Sequence, residues 1–129
     1  MSSFTSKLVL SPINSRFWQL EKEFEYKVGD IDSSEIIKVP AGFITDFASV
    51  PKIFWSVLPP WGTYVKAAII HDFLYKRQIY SRKKTDQLFL EGMKILKVSN
   101  STRLTMYLAV RIFGNSTWNK YSVELKRSN

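Results

Sequence analysis

The sequence predicts an α+β domain, and three observations carry that expectation. Up to about residue 45 apolar and polar residues alternate at strand spacing, after residue 48 the apolar residues recur at helical spacing, and neither an internal repeat nor a low-complexity linker interrupts the chain. The expected architecture is a β-rich N-terminal half, with strands within about 7–45, packed on three or four helices at about 50–57, 63–77, 82–97 and 101–113. Residues 1–114 are expected to form a single domain, with 115–129 as a polar C-terminal tail.

Taken in order, "KLVLSPI" is short and β-prone. In "RFWQLEKEFEYKVG" Phe24, Tyr26 and Val28 fall on one face and Glu23, Glu25 and Lys27 on the other, the pattern of a half-buried strand. "GDIDSS" carries turn chemistry, and "EIIKVP" is a further strand that Pro40 ends. "SVPKIFWSVL" opens a short helix with Ser49 as N-cap and Pro51 in its first turn, and "LPPWG" breaks it. Residues 63–77 are apolar almost all round, so this helix should run through the core. Ser81 caps the next helix, whose expected inner face is Phe89, Leu90, Met93 and Leu96. The last helix should stop at Gly114, a C-cap residue.

Composition narrows the functional classes. At 129 residues the chain can bury one core, and its 45% apolar and 15% aromatic content is that of a folded protein. It has no cysteine, which removes disulfides, thiolate chemistry and cysteine zinc sites. No apolar run reaches the roughly 18–20 residues of a membrane span, and "MSSFTSKLVLSPIN" lacks the continuous apolar stretch of a secretion signal. Nineteen Lys and Arg against 11 Asp and Glu give a formal charge of +8, which favours an anionic partner, a lipid surface or an acidic protein. The bland alternative is that Arg77, Arg82, Lys83, Lys84, Lys120, Lys126 and Arg127 are solvated surface charges. No motif for specific nucleic-acid binding is present.

The chemistry-bearing residues centre on "AAIIHDFLYKR", which holds the single histidine. His71 and Tyr75, four apart, share a helix face, and Asp72 and Tyr75 are close enough for the phenol to hydrogen-bond the carboxylate. Asp72 lies about 100° round the helix from His71, so both address one cleft. Asp86 is in register with the inner face of the following helix, from which it can reach back to give His71 an orienting acceptor. Asp46, between Phe43 and Phe47 at the strand-to-helix corner, is a third acid. Converging with Asp72 and Asp86 it would make an oxygen-rich site for Ca²⁺, Mg²⁺ or Mn²⁺; one histidine without cysteine does not suit zinc. Each residue also has a structural reading. His71 can be a satisfied core residue, Asp72 can pair with a lysine, and Asp86 with Arg82. Asp86 can instead lie in the first turn of a helix starting at Thr85, and Asp46 can cap a turn. Ser49 with His71 and an acid would complete a Ser-His-Asp set, but no nucleophile-elbow pattern surrounds it and a capping serine before proline is commoner.

"VPAGFITDFASVPKIFW", "PPWGTYVKAAIIHDFLY", "SRKKTDQLFLEGM" and "AVRIFG" together resemble the domain of unknown function 1353, from about residue 35 to 114. That resemblance implies a bacteriophage or prophage origin, hence the host cytoplasm or the virion as location and phage structural proteins as partners. It marks Asp46, Ser49, Pro51, His71, Asp72, Tyr75 and Asp86 as the family pattern, without an activity. "HDFLY" followed by an inward aspartate is also similar to the active site of secreted phospholipase A2. This similarity implies His71 as general base for a water, Asp72 as a calcium ligand, and Tyr75 and Asp86 as orienting groups. Trp55 and Trp61 would then suit a membrane interface. The cysteines and the glycine-rich calcium loop of that family are missing, and "AGFITDF", with Asp46, is the stretch that would stand in for the loop.

Three functions follow as expectations. The first is a metal-assisted hydrolase of ester or phosphoester bonds, with His71 activating water and Asp72 and Asp46 holding the cation. The second is a virion or tail-associated structural component whose polar cluster pins the fold; the third is a modulator of host proteins. A working site should leave His71 open in a cleft, whereas a structural cluster should be sealed with every acid paired.

Overall fold

The structure, a computed structural model, describes residues 3–4, 7–14, 17–29, 35–47, 49 and 64–128. Its class is α+β, with six short strands followed by three helices among those residues. The chain divides into two compact units, Met1–Asp46 and Phe47–Asn129. The helix expected at about 50–57, with Pro51, Trp55 and Trp61, lies outside the described residues, as does most of the "GDIDSS" turn.

The N-terminal unit holds two antiparallel three-stranded sheets. In the first, β4 (Phe24–Lys27) pairs with both β1 (Ser3–Phe4) and β5 (Ile36–Val39). The alternation read from the sequence sets its register. Phe24 faces Val39 and Tyr26 faces Ile37, all four buried, while Glu25 and Lys38 sit opposite each other as a complementary charge pair. Phe4 adds its ring to Phe24 and Tyr26 at 5.8 and 4.5 Å. In the second sheet β3 (Trp18–Leu20) is flanked by β2 (Leu10–Pro12) and β6 (Ile44–Thr45). Pro40 ends β5 as expected. Its carbonyl accepts from the Phe43 N–H across a tight turn whose third residue, Gly42, has φ 90°, a value that favours glycine.

The second unit contains α1 (Val65–Arg77), α2 (Arg82–Ile95) and α3 (Asn100–Ser128), each touching the other two. Helix α1 is buried from Val65 to Tyr75 apart from Lys66, which is the outcome its all-round apolar sequence predicts. It stops at Gln78, which adopts the left-handed conformation and returns its N–H to the Leu74 carbonyl. Helix α2 begins where Ser81 accepts from the Lys84 N–H, so Asp86 lies in the second turn and not in a first turn starting at Thr85. Its buried face is Thr85, Asp86, Leu88, Phe89, Gly92 and Met93; Leu90 and Leu96, expected inside, are half-buried.

Helix α3 corrects the sequence reading at its far end. It does not stop at Gly114 but continues to Ser128, so residues expected to form a polar tail are helical. Its inner face, Met106, Ala109, Val110, Gly114 and Tyr121, recurs at helical spacing straight through the glycine. An isolated glycine costs a helix only about 1 kcal/mol relative to alanine, and Tyr121, 6% exposed, supplies apolar burial beyond it. Among the described residues no helix is long and apolar enough to cross a membrane.

Candidate functional site

The second unit gathers His71, Tyr75, Asp86 and Ser49 into one hydrogen-bonded cluster. His71 and Tyr75 project from successive turns of α1, with ring centroids 4.3 Å apart, and Phe89 of α2 lies 4.6 Å from the imidazole. Asp86 reaches back from α2 as the register of that helix predicts. Its Oδ1 lies 2.7 Å from His71 Nε2 and accepts from the Tyr75 hydroxyl at 2.8 Å. The other imidazole nitrogen, Nδ1, is 3.0 Å from Ser49 Oγ. His71 and Asp86 are 0% exposed and Ser49 1%, so the cluster is sealed from solvent, as expected of a structural cluster, and His71 does not lie open in a cleft as expected of a working site.

A buried carboxylate must be matched by donors. On its other oxygen, Oδ2, Asp86 accepts from Arg111 Nη1 of α3 at 2.8 Å, and Arg82 Nη1 lies 3.5 Å away, one turn back on α2. The Arg82 group also donates to the Val110 carbonyl at 3.1 Å, tying α2 to α3. Burial alone pushes the Asp86 carboxyl up, but the hydrogen bond and charge of His71, with the Tyr75 and Arg111 donors, outweigh it and hold the group below the usual carboxylate range. The Tyr75 phenol is pushed well above its ordinary value, first by burial and then by the Asp86 charge.

These electrostatics fix the tautomer. An ionised Asp86 can only accept, so Nε2 carries the hydrogen, and in the neutral ring Nδ1 keeps its lone pair. In the neutral ring the Ser49 hydroxyl donates to Nδ1; in the imidazolium Nδ1–H donates to Ser49 Oγ instead. The order Ser49–His71–Asp86 is that of a hydroxyl, a base and an orienting acid.

Two other expectations come out differently. Tyr75 bonds Asp86, not Asp72, because the phenol reaches across to α2 where the carboxylate converges with His71. Asp72, 0% exposed, has Lys76 Nζ 3.6 Å from its Oδ2, the pairing expected of a structural acid. Asp46 ends the N-terminal unit. Among the described residues no three His, Asp or Glu side chains gather as a metal site. The lysine beside Asp72 and the two guanidiniums at Asp86 already neutralise these acids, so the donor set does not fit a divalent cation, and no chemistry is derived through one.

Sequence reasoning missed Arg111, 25 residues from its partner Asp86. It also misassigned Gly114. A Cβ at that position would lie 2.5 Å from the Tyr75 hydroxyl and 3.4 Å from Arg82 Nη1, so the missing side chain is what lets α3 close over the cluster. A glycine inside an otherwise helical pattern was the available signal.

No solved structure matches the chain at a significant level. A relative from Sinorhizobium fredii (strain NBRC 101917 / NGR234), "Uncharacterized protein y4jT", is 36% identical over 78 residues, 59% of this chain. The match spans 23% of that relative's own length. A family model described as "Protein of unknown function (DUF1353)" matches residues 18–110 and so takes in His71, Asp72, Tyr75, Asp86 and Ser49. The chain belongs to this family, DUF1353.

Proposed function

We propose that the protein hydrolyses ester or phosphoester bonds, with His71 as general base. The observation that carries this reading is the division of labour between the imidazole nitrogens. Nε2 is committed to Asp86 and Nδ1 faces a hydroxyl 3.0 Å away. A buried histidine needs a partner on each nitrogen whatever its role, and the partners here, a carboxylate and a hydroxyl, are also the set a general base uses. In this mechanism Nδ1 takes the proton of the attacking oxygen, Asp86 stabilises the imidazolium that forms, and Tyr75 holds Asp86 in place. The local similarity of His71, Asp72, Tyr75 and Asp86 to the phospholipase A2 helix supports the same roles.

The proposed partner is an anionic lipid surface, supported by the charge of +8 and by the exposed Leu104, Leu108, Ile112 and Phe113 on α3. A panel of p-nitrophenyl esters and phosphoesters, with native protein and His71→Asn, tests the chemistry. Hydrolysis lowered at least about 100-fold by the substitution is expected; turnover unchanged in His71→Asn would sink the reading. Metal assistance through Asp72 and Asp46 is tested separately by titrating Ca²⁺, Mg²⁺ and Mn²⁺ into native protein and Asp72→Asn by calorimetry. Binding lost in the variant would restore a metal-assisted mechanism.

A second reading is favoured by the burial of His71, Asp72 and Asp86 and by their pairing. In it the protein is a phage virion or tail-associated component, and the cluster fixes how three helices meet. Recovery of the chain in purified particles, together with esterase inactivity of the native protein, would favour it over the hydrolase. A role as a modulator of host proteins in the cytoplasm draws on no feature of the cluster.

A further inference from the structure

We infer that the turn between α1 and α2 enters an anionic lipid surface, with Ile79 as the inserted side chain and Arg77, Lys83 and Lys84 as the cations at the headgroups. This rests on the lipid surface proposed above as partner, and names the residues that meet it. The charge of the molecule is unevenly placed. The N-terminal unit holds five Lys and Arg against seven Asp and Glu, so the whole positive balance belongs to the second unit, with 14 against four. Two of those four acids, Asp72 and Asp86, are buried and matched internally by Lys76 and Arg111. Between them the sequence runs FLYKRQIYSRKKT, five cations and no acid.

The make-up of this run fits a lipid better than a soluble anion or a nucleic acid. Arg77 and Lys83 are exposed, and Ile79, 61% exposed, stands among the cations with the half-buried Tyr80 next to it. Phosphate contacts alone have no use for a bare aliphatic side chain in their midst. Acyl chains take one up, and a tyrosine suits the boundary between acyl chain and headgroup. The turn is also held in place. Gln78 ends α1 in the left-handed conformation and its side-chain amide donates to the Trp118 carbonyl at 2.8 Å, while Arg82 donates to the Val110 carbonyl at 3.1 Å. Both carbonyls belong to α3, so the turn is fixed beside the stretch that exposes Ile112 and Phe113. Arg82, Lys83 and Lys84 fill the first turn of α2, which has no acidic residue. Cations are least favoured at that end of a helix, so stability alone would place acids there; anionic headgroups supply the missing negative charge.

The chain has no cysteine, so Ile79→Cys carrying a nitrobenzoxadiazole fluorophore reports one position in the full-length protein. On vesicles containing phosphatidylglycerol its emission should shift to the blue and be quenched by spin-labelled acyl chains. The same probe at Lys94→Cys, exposed in the last turn of α2, should stay in water. Lys83→Glu should lower the vesicle affinity at least about tenfold, and Lys94→Glu much less. Lys84 is left in place because its Nζ packs 4.2 Å from the centroid of the Tyr80 ring. A carboxylate is favoured in the first turn of a helix, so the melting temperature of Lys83→Glu should not fall, and lost binding there is not lost folding. If vesicle-bound protein keeps the Ile79 probe in water, or Lys94→Glu weakens binding as much as Lys83→Glu, the turn is not the contact; the inference is overturned while the lipid partner stands. Native protein that binds no vesicles overturns both, and duplex DNA bound instead and lost in Lys83→Glu would assign the turn to a nucleic-acid backbone. None of these readouts involves ester hydrolysis, so the chemistry proposed at His71 stands or falls separately.

Discussion

At the residue scale the molecule is organised around Asp86, a carboxylate with no exposure that accepts from Tyr75 and Arg111, bonds His71 Nε2, and has Arg82 alongside. Removing its charge takes the carboxylate from Arg111 and leaves Arg82 with backbone carbonyls as its acceptors. Asp86→Asn is therefore expected to cost about 3–5 kcal/mol of stability, measured by urea denaturation. The pH dependence follows from the direction of its shift. The folded carboxyl sits below the usual 3.8, so the stability it contributes is complete above the unfolded value and drains away as pH falls through the folded one. The stability of native protein should thus decline in that acid range more steeply than that of Asp86→Asn, and equal slopes would contradict the assigned charge state. The phenol of Tyr75 moves the other way. Its neutral form is favoured, so its contribution is full below pH 10 and fades only as pH rises through its raised folded value. Tyr75→Phe, which deletes one hydrogen bond to a charged acceptor, should cost about 1.5–3 kcal/mol.

At the element scale the decisive contact is between α3 and the cluster. Gly114 sits where a methyl group would meet the Tyr75 hydroxyl at 2.5 Å, and both residues are buried. Gly114→Ala gains about 1 kcal/mol of helix propensity but forces a buried tyrosine to move, an overpacking cost of about 1–3 kcal/mol. A net loss of stability by thermal unfolding is expected, together with a displaced Tyr75. In a Tyr75→Phe background the clashing oxygen is gone and the loss should shrink; strict additivity of the two substitutions would refute the contact. The same helix shows what was legible in advance. The inward register of Asp86, the His71–Tyr75 face, the Ser81 cap and the Phe24–Tyr26 strand face are local periodicities, and local spacing reports them. The continuation of α3 was not legible, because the interactions that sustain it come from distant residues. Trp118 stands edge-on to Tyr75 at 5.0 Å and its carbonyl accepts from the Gln78 side chain, while Ser122 donates to the same glutamine. Arg111 was hidden for the same reason. Ser49 can be named beside His71 from the sequence but ranks behind a capping role there, since 22 positions separate the two and no local spacing reports the pair.

At the scale of the whole molecule, the surface carries two features that packing does not explain. The chain has a formal charge of +8, and α3 exposes Leu104, Leu108 and Ile112 at intervals of one turn, with Phe113 beside them, each more than half exposed. Arg103, Lys120, Lys126 and Arg127 lie on the same helix. An apolar row accompanied by basic residues is the arrangement that lets a helix lie in a bilayer interface, its apolar side chains among the acyl chains and its cations among anionic headgroups. Each headgroup-proximal cation contributes about 1 kcal/mol, and salt weakens that share but not the apolar one. The protein should therefore cosediment with vesicles containing phosphatidylglycerol and much less with phosphatidylcholine alone, with a partial loss in high salt. Leu108→Gln with Ile112→Gln should lower the vesicle affinity at least about tenfold while leaving the melting temperature nearly unchanged, because neither side chain is in the core. Equal binding to charged and neutral vesicles would remove the electrostatic half of the proposal, and binding indifferent to the double substitution would remove the apolar half. Retention of ester hydrolysis in that variant on a soluble substrate, with loss on a vesicle-borne one, would separate recognition of the surface from the chemistry at His71.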